Sequence, residues 1–195
     1  HYFGNPLMEL ISTILNSNSK SEIVLLPGSR KQEINALMPV FMELANLMPN
    51  EHFKIVAMKK MKSFYPKLIP KNIEFVFDTV SNVSKNAKFA VVCSGTATLE
   101  IALLKIPQVI VYKTNFINYQ IAKRLIKVPF IGLPNLITGK QIVPELIQNN
   151  CTALQIKHFI ESISSEPNYS ILEKRLVAQN TSEQVAKLLW DLVSV

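Results

Sequence analysis

Much of what bounds this 195-residue sequence is what it lacks. It has two cysteines, Cys93 and Cys151, set far apart and without the CxxC or CxxH spacing of a zinc site. Reduced thiols are the simplest reading, with Cys93 a small core residue inside an apolar run. No apolar stretch approaches the ~20 residues that a membrane-spanning helix needs, and no signal-peptide pattern is visible. A protein working in water, or at most on a membrane surface, is the expectation. No GxxxxGK[ST] or GxGxxG run occurs, so nucleotide hydrolysis and dinucleotide redox chemistry are poorly supported. Internal repeats, low-complexity tracts and the composition of a disordered chain are also missing.

What is present describes a globular chain. Hydrophobic residues make up 48% and charged residues 18%, enough apolar material to bury a core. The net charge of +7 favours anionic partners: phosphates, acidic lipid surfaces or nucleic acid. A basic protein without a specific anionic partner is the plain alternative.

Short β-branched runs alternate with segments of helical period. Glu22–Leu26, Phe53–Ala57, Asn72–Phe77, Phe89–Cys93 and Pro107–Tyr112 are the predicted strands. The run at 89–93 is continuously apolar, as expected of a strand buried on both faces. Between the first two, Ile34, Leu37, Met38, Phe41, Leu44, Ala45 and Met48 form one helix face, closed by Pro49-Asn50. Residues 59–70 read as a basic, proline-punctuated helix or loop, 80–86 as a short helix, and Ser94-Gly95 as the opening of a helix to Lys105. Ile131–Asn135 reads as a short strand or loop. Val143–Gln148, Thr152–Ile163 and Tyr169 to about Val193 read as helical, with Leu188, Leu189, Trp190 and Val193 anchoring the last. The alternation predicts an α/β fold: a Rossmann-like parallel sheet with helices on both faces, followed by C-terminal helices. Functional loops then belong at the carboxyl ends of the strands.

Three such stretches carry candidate chemistry. In Pro27-Gly28-Ser29-Arg30-Lys31-Gln32-Glu33, Gly28 lets the backbone approach a ligand, Ser29 can cap a helix or donate to a phosphate, and Arg30 can clamp one bidentately. The cap and phosphate roles are compatible. In Ser94-Gly95-Thr96-Ala97-Thr98-Leu99-Glu100, the small residues leave room for a ligand at a helix start. Glu100 could accept two hydrogen bonds from a ribose diol; as a capping-box acid it is one residue too far from Thr96. In Leu133–Leu146, Asn135 and Lys140 could meet sugar hydroxyls or phosphate, or could form an ordinary turn.

In order and spacing these three stretches resemble hallmark segments of the lipid-A-disaccharide synthase family. Gly4-Asn5-Pro6-Leu7 is similar to that family's Gly-His-Pro-Leu at the junction of its two halves, and Tyr112-Lys113 with Tyr119–Pro129 is similar to its Tyr-Arg and basic helical segment. The resemblance spans roughly residues 3 to 150. It implies the donor-binding half of a GT-B glycosyltransferase, with 1–21 a junction segment, 22–150 the nucleotide-sugar-binding domain and 151–195 a helical extension. It also implies a UDP-2,3-diacylglucosamine donor, a 2,3-diacylglucosamine 1-phosphate acceptor (lipid X), inversion to the β-1,6 disaccharide, and no metal or cofactor. Gly28, Ser29 and Arg30 should face the diphosphate. Ser94, Gly95, Thr96 and Ala97 should meet phosphate or ribose, and Glu100 the ribose. Tyr112, Asn135, Lys140 and Gln141 complete the donor site. Asn5 stands where the family has His, and Lys113 and Lys140 replace usual arginines, keeping charge but losing the planar fork. The acidic residue that activates the acceptor is expected in an amino-terminal domain outside this sequence, so the chain should bind donor without turnover.

Acylated substrates imply a cytoplasmic enzyme, peripheral on the inner face of the cytoplasmic membrane, with a homodimer as a further possibility. Tyr119–Lys127 could be an interfacial helix or a sheet-covering helix with a basic edge. The lysines at 59, 60, 62, 67 and 71 could meet anionic lipid or simply be solvated. Two rivals stand beside this reading. One is another GT-B enzyme using UDP-N-acetylglucosamine. The other is a basic nucleic-acid-binding module, for which interleaved aromatics and a reader motif are missing, so no nucleic-acid partner is expected.

Overall fold

The computed structural model describes residues 20–114, 129–162, 167–176, 186–187 and 189–191. Gly4–Leu7 and Tyr119–Lys127, both singled out above, lie outside these residues. Among those described, a parallel six-stranded sheet is built from β1 (Glu22–Leu26), β2 (His52–Val56), β3 (Ile73–Val76), β4 (Ala87–Cys93), β5 (Gln108–Tyr112) and β6 (Glu145–Ile147). Its order is β3-β2-β1-β4-β5-β6, the doubly wound arrangement of a Rossmann-like fold.

Strand periodicity explains why both faces are covered. Ile23 and Leu25 of β1, Phe89, Val91 and Cys93 of β4, and Val109 and Val111 of β5 join one core cluster. Their alternates Val24, Leu26, Ala90 and Val92 join a second, and Ile110 a third. Side chains two apart point to the same face, so an unbroken apolar run feeds two cores at once.

On the first face lies α1 (Lys31–Leu47), whose predicted apolar stripe is its buried side: Ile34, Leu37, Phe41 and Leu44 are fully buried. Burying each contributes about 1.5–3 kcal/mol. Pro39 is accommodated inside this helix on an exposed position. The carboxyl end of α1 is tied down from afar, because the Asn72 Nδ2 donates to the carbonyls of Ala45, Met48 and Glu51, each at 3.1 Å. Orphan carbonyls at a helix end need such partners. Beside α1 packs α5 (Ala153–Ser162), with Cys151, Ala153 and Ile156 in the same core. On the other face lie α2 (Val80–Val83), α3 (Ala97–Leu103), α4 (Leu133–Thr138) and α6 (Ser170–Leu176). Segments beyond residue 150, expected as an extension, thus share the cores of the sheet itself.

Three expectations are corrected. Ile131–Asn135 is not a strand: Leu133–Thr138 is helical, with Pro134 in its first turn and Gly139 closing it at φ 67°. Proline early and glycine just past the end is a helix signature that the sequence already carried. Val143–Gln148 is not a helix: Glu145–Ile147 pairs with β5 as the edge strand. Leu189 and Trp190 do not bury as anchors, being 57% and 74% exposed. No helix among the described residues is long and apolar enough to cross a membrane.

Candidate functional site

Strand order reverses between β1 and β4, because the chain leaves them toward opposite edges of the sheet. Loops leaving adjacent strands in opposite directions cannot fill the space between them, and ligands of open α/β sheets bind in that crevice. Here it holds a cavity of ≈ 370 Å³, within the ~300–1,000 Å³ of small-molecule sites. Gly28, Ser29 and Arg30 line it from the β1 side, and Ser94, Gly95, Thr96 and Ala97 from the β4 side. Two of the three stretches chosen from sequence therefore meet, although about sixty residues of chain separate them.

The β1 loop is shaped by a residue the sequence reading left in the background. Glu33 is 8% exposed and turns back into the loop. Its Oε2 accepts the Ser29 N–H at 3.0 Å and the Arg30 N–H at 3.1 Å, while Oε1 accepts from the Arg30 guanidinium at 3.1 Å. Gly28 has φ 93°, and a Cβ there would stand 2.3 Å from Glu33 Oε2. Glycine is thus required twice, for the left-handed backbone and for the approach of the carboxylate. Arg30, not Ser29, is the N-cap of α1, so the expected Ser29 cap is corrected. The signal for Glu33 was its place three residues after the cap, where an acid bonds the cap N–H. The Arg30 side chain is 82% exposed, leaving donors of its fork beyond the Glu33 contact.

The β4 loop is open where the β1 loop is tight. A Cβ on Gly95 would meet only the Cys93 carbonyl, at 4.0 Å. The smallness of this residue leaves space on the cavity side and serves no packing need. Ser94 ties the loop down, its N–H donating to the Val111 carbonyl at 3.0 Å and its Oγ to the Ile131 carbonyl at 2.7 Å. Cys93 lies beneath; burial pushes its thiol up to about 12, with the nearby Glu33 charge adding to the effect. A thiol held protonated is no nucleophile.

The remaining predicted residues are not brought into this lining. Glu100 lies farther along α3, where its Oε1 accepts a hydrogen bond from Ser81 Oγ of α2. Tyr112, half-buried, ends β5 opposite Ile147. Lys140 and Gln141 are exposed in the turn after α4. Asn135 requires a correction. It is fully buried, donating to the Val143 carbonyl and to Glu145 Oε1 at 2.7 Å, and accepting the Ile142 and Val143 N–H groups at 2.8 and 2.9 Å. Both donors and both lone pairs are engaged, so nothing is left for a sugar. Glu145, also unforeseen, holds the same loop by accepting the Ile131 and Gly132 N–H groups at 2.9 and 3.0 Å. Among the described residues no three His, Cys, Asp or Glu side chains gather to hold a metal ion.

Comparison with known proteins identifies the family and the fold. The sequence profile of the family described as lipid-A-disaccharide synthetase matches residues 1–188. The chain belongs to this family. A lipid-A-disaccharide synthase of Sulfurihydrogenibium sp. (strain YO3AOP1) is 35% identical, over 89% of this chain and 52% of that protein. The lipid-A-disaccharide synthase 1 of Legionella pneumophila (strain Paris) is 31% identical, over 98% and 56%. The chain therefore spans about half the length of the curated relatives it matches. Among solved structures, the glycotransferase of kitacinnamycin matches with a TM-score of 0.57 at 16% identity, over 90% of this chain and 44% of that one. That likeness concerns the fold, a Rossmann-like half of a glycosyltransferase. Membership of the lipid-A-disaccharide synthetase family displaces both rivals raised by the sequence.

Proposed function

We propose that this chain is the donor-binding half of a lipid-A-disaccharide synthase and that UDP-2,3-diacylglucosamine binds in the β1/β4 crevice. The observation carrying this reading is the convergence of Gly28–Arg30 and Ser94–Ala97 on one cavity at the point where strand order reverses. The diphosphate lies against Arg30, whose exposed guanidinium offers a planar fork to phosphate oxygens. The nucleoside lies toward the open β4 loop, and Glu100 reaches the ribose by exchanging its Ser81 contact for the diol. Tyr112, Lys140 and Gln141 border the more distant, sugar-proximal part of the cleft.

The chemistry assigned to this half is stabilisation of the leaving group. The acceptor hydroxyl oxygen of 2,3-diacylglucosamine 1-phosphate attacks the anomeric carbon from the face opposite UDP. The bond from that carbon to the β-phosphate oxygen breaks, and its electron pair stays on UDP. The charge that develops there is met by Arg30, more strongly than in the ground state. The hydroxyl proton passes to a base on the opposite side of the cleft. Glu33 is unsuited to that role, since its carboxylate is already bonded to the β1 loop. Acyl chains on both substrates set the reaction at the inner surface of the cytoplasmic membrane.

Calorimetric titration with UDP tests the placement. One-site binding weakened ~10- to 100-fold by Arg30→Ala, as expected for loss of a charge-assisted hydrogen bond, and weakened also by Glu100→Ala, is the expected result. A folded chain whose affinity ignores both changes would move the donor elsewhere.

A further inference from the structure

Beside the cavity lies a surface of different character. Between Met58 and Asn72 the chain carries Lys59, Lys60, Lys62, Lys67 and Lys71 and no acidic residue. All five lysines are exposed, and among the described residues none of them is in an ion pair. Lys54, Lys88, Lys105 and Lys157, by contrast, each meet a carboxylate. Leu68 stands between two of the five and is 92% exposed.

The segment is not loose. Residues 59–64 form a 3-10 turn that packs on α1, which sets Lys59 and Lys62 one above the other on its edge. Tyr65 is buried, and Met61, Phe64 and Ile69 pack against the core. The Tyr65 hydroxyl accepts the Met58 N–H at 3.0 Å, and its ring lies 5.1 Å from that of Phe75. An anchored loop thus turns most of its apolar residues inward, yet presents one leucine and five ammonium groups outward.

We propose that residues 59–71 form a docking surface for an anionic phospholipid bilayer. The lysines pair with headgroup phosphates while their stems lie along the interface, and Leu68 enters the acyl boundary. Nucleic acid fits less well, because no aromatic face is offered for base stacking. Tyr65 is buried, and Lys31 Nζ covers the Phe64 ring at 4.8 Å. Met58, just before the lysines, lines the donor cavity, so a bilayer held here would lie near its mouth. Only that last point rests on the proposed function; the charge, exposure and anchoring stand without it.

The test is co-sedimentation of the 195-residue chain with phosphatidylcholine vesicles, with and without phosphatidylglycerol. The unaltered chain should bind only the anionic vesicles. Exchanging all five lysines for Gln should lower partitioning at least ~100-fold, since each contributes roughly fivefold near such a surface. Leu68→Ser should lower it about tenfold, a loss that persists in high salt because apolar burial is not screened. A control of equal charge, with Lys85, Lys88, Lys105, Lys157 and Lys174 exchanged for Gln, should keep most of the binding. Equal loss in the two lysine sets, no binding of the unaltered chain, or indifference to Leu68→Ser would each overturn the proposal. So would random DNA that displaces the vesicles completely. Circular dichroism melting confirms that each variant is folded. UDP titration of the unaltered chain separates the readings: vesicle binding without UDP binding counts against the cavity alone, and UDP binding without vesicle binding against this surface alone.

Discussion

Around the β1/β4 crevice, polar groups face outward: Arg30, Gly95 and Thr96 are exposed at the mouth of a cavity. Between Gly132 and Glu145 two polar side chains, Asn135 and Thr138, face inward, while Lys140 and Gln141 stay exposed in the turn. Asn135 is fully buried and Thr138 is 2% exposed, its Oγ1 donating to the Pro134 carbonyl at 2.7 Å. Even the glycines differ in what they do. Gly95 opens space, whereas a Cβ on Gly132 would stand 2.2 Å from Ile110 Cδ1. As strings of letters the two regions look alike, each with Gly, Thr, a carboxylate and small polar residues. Counting where each hydrogen bond goes separates a surface that can receive a ligand from one already complete.

The sharpest way to break this comparison is Asn135→Ala. It would leave two N–H groups, one carbonyl and one carboxylate oxygen without their partner in a buried place. Stability should fall by about 3–5 kcal/mol in urea denaturation, while UDP affinity of the folded fraction stays nearly unchanged. A large affinity loss without destabilisation would return Asn135 to the donor site.

Gly28→Ala should show the opposite balance. Strain at φ 93° and the clash with Glu33 should cost about 1–3 kcal/mol, with UDP affinity down tenfold or more as the β1 loop and Arg30 shift. An unchanged affinity in calorimetry would mean that the tight loop is structural, like the hydrogen-bond network of Asn135.

The smallest effect at neutral pH concerns the thiols. Burial pushes Cys93 up from its ordinary 9.0 to about 12. Burial likewise pushes Cys151 to about 11, partly offset by the Lys113 charge. The unfolded chain gives up these protons first, so the stability from keeping them is complete below pH 9 and is lost as pH rises through about 11 to 12. The slope should approach 1.4 kcal/mol per pH unit for each thiol, and Cys93→Ala should flatten it. Urea midpoints that do not move above pH 9 would mean that the floor of the cavity is wetter than its burial implies.

Strands β1, β4 and β5 were legible because each is buried on two faces and so carries an unbroken apolar run, at residues 23–26, 89–93 and 109–112. The buried stripe of α1 was legible for the corresponding reason at helical period. Edge strand β6 was not: three residues after a proline are too short to show a period, and only pairing with β5 makes Glu145–Ile147 a strand. Glu33 and Glu145 were obscured in a similar way. A carboxylate in sequence looks solvated or catalytic, and whether it instead ties a loop depends on which N–H groups lie within 3 Å of it.

By itself, then, the sequence determined the class of fold and the loops worth inspecting, because those follow from apolar periodicity and from local turn chemistry, while the family followed from the resemblance of its motif segments. The tertiary structure decided which of those loops converge, since order in a sheet is set by non-local pairing. It also decided which polar side chains remain open to a ligand, since a hydrogen bond made across the fold leaves no trace in the spacing of residues along the chain.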